Sequence, residues 1–254
     1  MDRQTLCERL DTELETDAYA DIDASANGLQ VESGQEEITH VAVAVDAAVE
    51  TIERAARMGG DLLVTHHGIS WGGIDRVTDV AYKRLDALFS NDIGLYVSHL
   101  PLDGHQELGN AAQIADLLEL DGREPFGDYG GLPVGQRGRL PERLAVETLT
   151  ERLAPHLDTG EQPVQTFAFG SELVEDVAIV TGSGVDFLAD AADTADILIT
   201  GEGKQHAYHE AKERELNLLL GGHYATETFG VRAVADLLER WGLETTFIHC
   251  PTGL

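Results

Sequence analysis

ITHVAVAVDAAVETIERAARMGGDLLVTHHG, residues 38–68, changes its period twice, and those changes decide the fold. Residues 38–46 are rich in β-branched side chains and read as a strand. From there Val49, Ile52 and Ala56 recur at helical spacing until Gly59 and Gly60 stop them. DLLVTHHG then reads as a short buried strand that ends in two adjacent histidines, His66 and His67. Strand, helix, strand is the unit from which a parallel sheet covered by helices is built.

The same alternation continues outward. VTDVAYKRLDALFSNDIG predicts a helix, LYVSHLPLD a strand and NAAQIADLLELDG a helix. Residues 123–138 carry Pro125, Pro133 and several glycines and read as a loop-rich crossing and a domain boundary. RLPERLAVETLTERLAPHL predicts a helix entered at Pro141 and stopped near Pro155. PVQTFAFGS and VEDVAIVTGSG read as strands, VDFLADAADT as helix and ADILITGEG as strand. AYHEAKERELNLLLGG reads as helix running into a strand, TETFGVRAVADLLERWG as a final helix and LETTFIHCP as a last strand. The expected fold is α/β, two similar α/β layers with mostly parallel or mixed sheets. Residues 1–124 form a first domain, completed by 235–254, and residues 125–234 form a second.

Composition bounds the function. Of 254 residues, 46 are acidic and 17 basic, a formal net charge of −29, with lysine only at Lys83, Lys204 and Lys212. The acids are scattered along the chain, as expected for a surface adapted to a salt-rich cytoplasm, where counter-ions screen self-repulsion. Such a surface repels phosphates, and no basic stripe offsets it, so a broad nucleic-acid face is disfavoured. No apolar run approaches the roughly 20 residues of a membrane span. MDRQTLCERLDTEL reads as an amphipathic helix without the apolar core of a signal peptide, so a cytoplasmic location is expected. Cys7 and Cys250 form no C-x-x-C pattern and read as reduced structural thiols.

In such sheets functional groups gather at the carboxyl ends of strands. Three segments put metal-ligand side chains there: His66 and His67; Asp103, with His99 and His105 nearby; and His223 with Glu227. Neighbours in a strand point to opposite faces, so the paired imidazoles suit two nearby ions, one each. His223 and Glu227 are four apart, one helical turn, with Thr226 read as the cap of that helix and Glu227 in its first turn. Three imidazoles and two carboxylates suit zinc, manganese, iron or nickel. Five ligands exceed a tetrahedral structural zinc and match two ions bridged by a carboxylate, with positions left open. Any one segment alone reads first as a hydrogen-bonded histidine; the set of three carries the signal.

LLVTHHG, SHLPLDGHQELGNAAQIADLL, ADILITGEGKQHAYHEA and GGHYATETFGVRAVADLL, with SANGLQVE upstream, together resemble the Nif-three-like family of dinuclear metal-centre proteins, whose members are named as homologues of type-two GTP cyclohydrolase. The resemblance covers residues 27–251. It implies a two-domain α/β subunit with the metal site at the domain interface, two divalent ions per subunit, and a toroidal homohexamer. It makes His66, His67, Asp103, His223 and Glu227 the ligands, with Glu227 bridging, His67 and Asp103 on one ion, and His66 and His223 on the other. Glu202 and His206, in TGEGKQH, become the catalytic candidates for proton transfer or substrate contact, with the orienting of ligands as the other reading. The family often has an aromatic where Gln205 stands here, and the middle segment matches only loosely. His99 is read as a support for the ligands, and Lys204 as a contact for an anionic substrate. No G-x-x-x-x-G-K-[ST] loop occurs, and the GSG at Gly182, Ser183 and Gly184 follows a predicted strand and can approach a phosphate. The expected function is a metal-dependent hydrolase acting on a small molecule through a metal-bridged water, ring-opening of GTP being the activity the resemblance implies. The alternative is a non-catalytic metal-binding or metal-delivery hexamer acting through partners.

Overall fold

In the computed structural model, which describes residues 1–160 and 162–254, the chain divides into two units. The first comprises Met1–Leu102 and Val231–Cys250; the second comprises Asp103–Gly230 and Pro251–Leu254.

The first unit opens with α1 (Arg3–Glu13), whose Thr5 N–H donates to the Asp2 carboxylate at 2.9 Å, a side-chain N-cap. There follow β1 (Gly28–Val31), β2 (His40–Asp46), α2 (Val49–Arg57), β3 (Leu62–His67), α3 (Asp79–Ser90) and β4 (Gly94–Val97). Helix α2 buries Ile52 and Ala55 and carries Glu50–Arg54 and Glu53–Arg57 pairs on its outer face, the two sides of an amphipathic helix. Helix α4 (Leu100–Gly104) runs across the first division point.

The second unit contains α5 (Asn110–Leu117), β5 (Asp121–Tyr129), β6 (Leu132–Ala145), α6 (Val146–Leu153), β7 (Gln165–Phe167), β8 (Leu173–Ile179), α7 (Leu188–Ala192), β9 (Ile197–Thr200), α8 (Gln205–Glu213) and β10 (Asn217–Leu220). Helix α9 (His223–Arg240) crosses the second division point, and β11 (Glu244–Phe247) returns to the first sheet.

Among the described residues the first sheet has the order β1-β4-β3-β2-β11, with every pair parallel except β1–β4. The central position of β3 explains its apolar run: Leu62, Leu63 and Val64 are covered on both faces. The second sheet, β5-β6-β8-β9-β10-β7, is mixed, parallel at β8–β9–β10 and antiparallel elsewhere. Ala42, Ile52, Leu63, Leu88 and Leu95 build the first core; Ile114, Leu118, Leu149, Val177, Ile179 and Leu219 build the second. The α/β class with two mostly parallel or mixed sheets is therefore what the chain forms.

Three sequence expectations differ from the structure. Residues 123–138, expected to be a loop-rich crossing, form the β5–β6 hairpin. Its turn is Gly130–Gly131, with φ of +66° and +92°, the left-handed pair a two-residue hairpin requires. Pro125 sits in an edge strand, where proline is tolerated, and Pro133 precedes the register shared with β8, which starts at Gln136. Gly135 is there because a Cβ would run into the Ile179 carbonyl of β8. The helix expected from Pro141 onward begins only at Val146, because residues 139–145 continue β6 through an irregularity that accommodates Pro141. The expected domain boundary at 124/125 also differs from the division at Leu102/Asp103. Ala111, Ile114 and Ala115 of α5, with Leu118 at its C-cap, pack into the second core, and they carry the helix with it.

Candidate metal centre

The five expected ligands are distributed two and three between the units. In the first, His66 and His67 end the central strand β3, which stays regular to its last residue, with His67 in register with Asp46 of β2. Their rings are 4.7 Å apart, centroid to centroid. His66 is fully buried, and its Nδ1 donates to the Ser98 carbonyl at 3.0 Å. A carbonyl can only accept, so Nδ1 carries the proton and Nε2 is the nitrogen able to bind a cation. The Nδ1 of His67 donates to the Asp46 carboxylate at 2.9 Å, with the same consequence.

His99 joins them. Its ring lies 5.1 Å from His66 and 5.7 Å from His67, and its Nδ1 donates to both Asp23 oxygens, at 3.0 and 3.1 Å. One ligand atom from each of His66, His67 and His99 lies within 4.8 Å of the others. Asp23 is a saturated anchor: it also accepts from Ser25 N, Asn27 Nδ2 and Leu100 N. Burial pushes its carboxyl up, but His99, Asn27 and Ser25 more than offset this and hold it at about 2, below its ordinary 3.8. The SANGLQ segment supports the same place. Asn27 Oδ1 accepts from His99 N, while Gln30 donates to Ala26 O and accepts from Ile69 N. A Cβ on Gly68 would overlap the Gln30 amide, which is why the histidine pair is followed by glycine.

In the second unit the loop of Thr181, Gly182, Ser183 and Gly184, just after β8, contacts the remaining expected ligands. Thr181 Oγ1 donates to Asp103 at 3.3 Å, and Asn110 Nδ2 donates to the same oxygen at 3.0 Å. Gly182 N donates to Thr226 Oγ1 at 3.2 Å, and Ser183 Oγ donates to Glu202. Gly182 has φ of +59°, and a Cβ there would overlap Glu227 Oε1 and stand 3.2 Å from His223 Nε2. The loop is thus shaped around the His223–Glu227 pair.

His223 Nε2 stands 3.0 Å from Glu227 Oε1, and its Nδ1 3.3 Å from Glu202 Oε1. Burial opposes charge on this imidazole, but Glu227 and then Glu202 outweigh it and raise its pKa to about 9. A proton therefore occupies the His223–Glu227 contact at neutral pH, the place a divalent cation would take. Glu202 itself is opposed by burial, yet Ser183 and His223 lower its pKa and keep it ionised. The donor set fits a metal: an imidazole oriented from behind by a carboxylate, and a second carboxylate on its metal-binding nitrogen.

Several expectations change. Thr226 does not cap α9, which already begins at His223; its hydroxyl donates to the Gly222 carbonyl and receives Gly182 N, so Glu227 lies beyond the first turn. The GSG turn, read as an approach to a phosphate, instead contacts Thr226, Glu202, His223 and Glu227. His206 is exposed on the first turn of α8, with no hydrogen bond or ion pair to Glu202 or His223 among the described residues. Lys204 is paired with Asp186 at 2.7 Å. The Nδ1 of His105 accepts Glu107 N and Leu108 N and closes its own loop. Asp23, Asp46 and Thr181 were missed; the one cue was SANGLQ, whose role needs the fold to interpret.

Residues 1–252 match the model of the family described as Duf34/NIF3 (NGG1p interacting factor 3). The chain belongs to this family. The NIF3-family chain is 50% identical over 255 residues to the "GTP cyclohydrolase 1 type 2 homolog" of Halobacterium salinarum, covering 100% of each. It is 42% identical to the protein of the same name from Pyrococcus abyssi, again over 100% of each chain. Among solved structures, TTHA1606 from Thermus thermophilus superposes with a TM-score of 0.91 at 37% identity, covering both chains completely. For this NIF3-family protein, no helix among the described residues is long and apolar enough to cross a membrane.

Proposed function

We propose that this chain is a metal-dependent hydrolase whose His66, His67, Asp103, His223 and Glu227 hold two divalent ions. The observation that carries this is shared by the three imidazoles of that set. His66, His67 and His223 each engage Nδ1 with an oxygen (Ser98 O, Asp46 and Glu202, respectively), so each is oriented to use Nε2. Metal-ligating histidines are held in this way, and the supporting oxygen both fixes the tautomer and raises the ligand's basicity. Zinc, iron, manganese and nickel all accept such a set. When bound, a pair of such ions polarises a substrate oxygen and makes water nucleophilic at neutral pH.

The chain's own groups have distinct parts. Glu202, held ionised by Ser183 and His223, orients His223 and offers a carboxylate oxygen to a proton released nearby. Glu227 is almost fully buried and can bridge. The relatives' shared name makes ring-opening of GTP the first reaction to assay. The chain acts as a homohexamer, a reading supported by Val80, Tyr82 and Phe89, which are more than half exposed on α3 of so acidic a protein.

The test is metal analysis of protein purified without chelators, followed by a turnover screen. About two transition-metal ions per chain are expected, as in other dinuclear hydrolytic sites, falling sharply in His66→Ala and Glu227→Ala. Glu202→Gln should keep the metal and lose turnover. Bound metal with no turnover of GTP, amides or phosphoesters would replace this reading with metal delivery, and absence of metal under saturating supply would end both.

A further inference from the structure

We propose that Trp71 and His99 form a binding subsite for a flat nitrogen heterocycle bearing N–H donors, presented beside His66 and His67. Trp71 is 46% exposed, yet its backbone is fixed. It forms an antiparallel bridge with Ser25, while Gly72 N donates to Ala24 O and Ala26 N donates to Ser70 O. The indole is thereby held 6.0 Å from the His67 ring and 4.9 Å from the His99 ring, at 81° to the latter. An edge-to-face contact with His99 fixes the indole and leaves much of its surface open to solvent.

His99 is fixed more tightly still. Asn27 holds its backbone N–H and Asp23 holds its Nδ1. With Nδ1 engaged by Asp23, Nε2 is the ring nitrogen left to accept a hydrogen bond. A held aromatic surface next to a held acceptor suits a planar ring that stacks and donates. An organic cation is the competing occupant of an open indole face, but an imidazole acceptor adds nothing to a quaternary ammonium. The charge of −29 disfavours recognition through phosphate, so the ring has to carry the affinity.

This deepens the proposed function by naming a substrate class, and rests on that reading only for what the bound ring is presented to. Fluorescence tests it. The chain has two tryptophans, and Trp241 lies against the Arg9 guanidinium at 4.0 Å, so Trp241→Phe isolates the Trp71 signal. The full chain, with and without zinc, is titrated with adenosine, guanosine, ribose 5-phosphate and choline. Saturable quenching by the nucleosides alone is expected. In the presence of Trp241, dialysis should show Trp71→Ala weakening nucleoside binding at least about fivefold, the scale of one ring stacked on an aromatic side chain, with Trp71→Phe retaining most of it. His99→Ala should remove any preference for adenosine over purine riboside, which lacks the exocyclic amine.

Quenching by choline and not by nucleosides, no saturable nucleoside binding up to the solubility limit, or unchanged affinity in Trp71→Ala would each overturn the subsite. The outcome is separable from the metal reading. Trp71→Ala should keep the wild-type metal content, so lost nucleoside affinity with metal retained supports the subsite. If no metal is held but nucleosides bind through Trp71, only the hydrolase reading falls.

Discussion

Replacing Asp23 with asparagine tests the organisation of the histidine cluster from beneath. The Asp23 side chain is 2% exposed and accepts from Ser25 N, Asn27 Nδ2, Leu100 N and His99 Nδ1. Its carboxyl is held at about 2, against an ordinary 3.8. At about 1.4 kcal/mol per unit, the folded state gains on the order of 2 kcal/mol from the ionised form. Because the folded value lies below the unfolded one, this stability is fully present above about pH 4 and is lost as the pH falls through about 2. Asparagine offers one acceptor oxygen and turns an NH2 group toward donors, so Asp23→Asn should cost about 2 kcal/mol at neutral pH. Urea unfolding in chelator, followed by the fluorescence of Trp71 and Trp241, reads the first unit, which contains both. The gap between wild type and variant should shrink from pH 4 downward and close near pH 2. A variant within about 0.5 kcal/mol of wild type at pH 7, the range of ordinary surface changes, would refute the reasoning. So would a gap that stays constant across the acid range.

Gly182→Ala places a methyl against Glu227 and strains a left-handed residue. Metal affinity, measured by competition with a chromophoric chelator, should fall about 10- to 100-fold, the range for disturbed ligand support. Unchanged affinity would show that the loop does not hold the pair. Gly68→Ala should lower the stability of metal-free protein by about 1–3 kcal/mol, because the Gln30 amide it displaces is tied at both ends; a neutral effect would mean that Gln30 moves aside without loss. With a net charge of −29, metal-free protein should melt several degrees higher in molar potassium chloride than in dilute buffer, as screening contracts from about 10 Å at 0.1 M to about 3 Å at 1 M. A flat melting temperature would mean that the acids are already balanced locally.

The part of the site legible in the chain was local. His66 and His67 end a strand whose apolar run and closing glycine are visible as text, and His223 and Glu227 lie one helical turn apart whatever surrounds them. Pro125, Pro133 and Pro141 misled, because proline reads as a break unless the neighbouring strand is known. An edge position and an irregular register tolerate it, and neither is a property of the segment itself.

The amino-acid order alone determined the alternation of strands and helices, the two-sheet α/β class and the residue types able to hold a metal. Side-chain period and turn chemistry are set within a few residues, so they survive in the order of the chain. Only the tertiary structure decided which oxygen each imidazole meets. Asp23 reaches His99 from 76 residues away, and Thr181 reaches Asp103 from 78. It also turned GSG from a phosphate candidate into the loop that seats Glu202, His223 and Glu227. A hydrogen-bond partner is chosen by what folding brings within about 3 Å, and that depends on the packing of the whole unit.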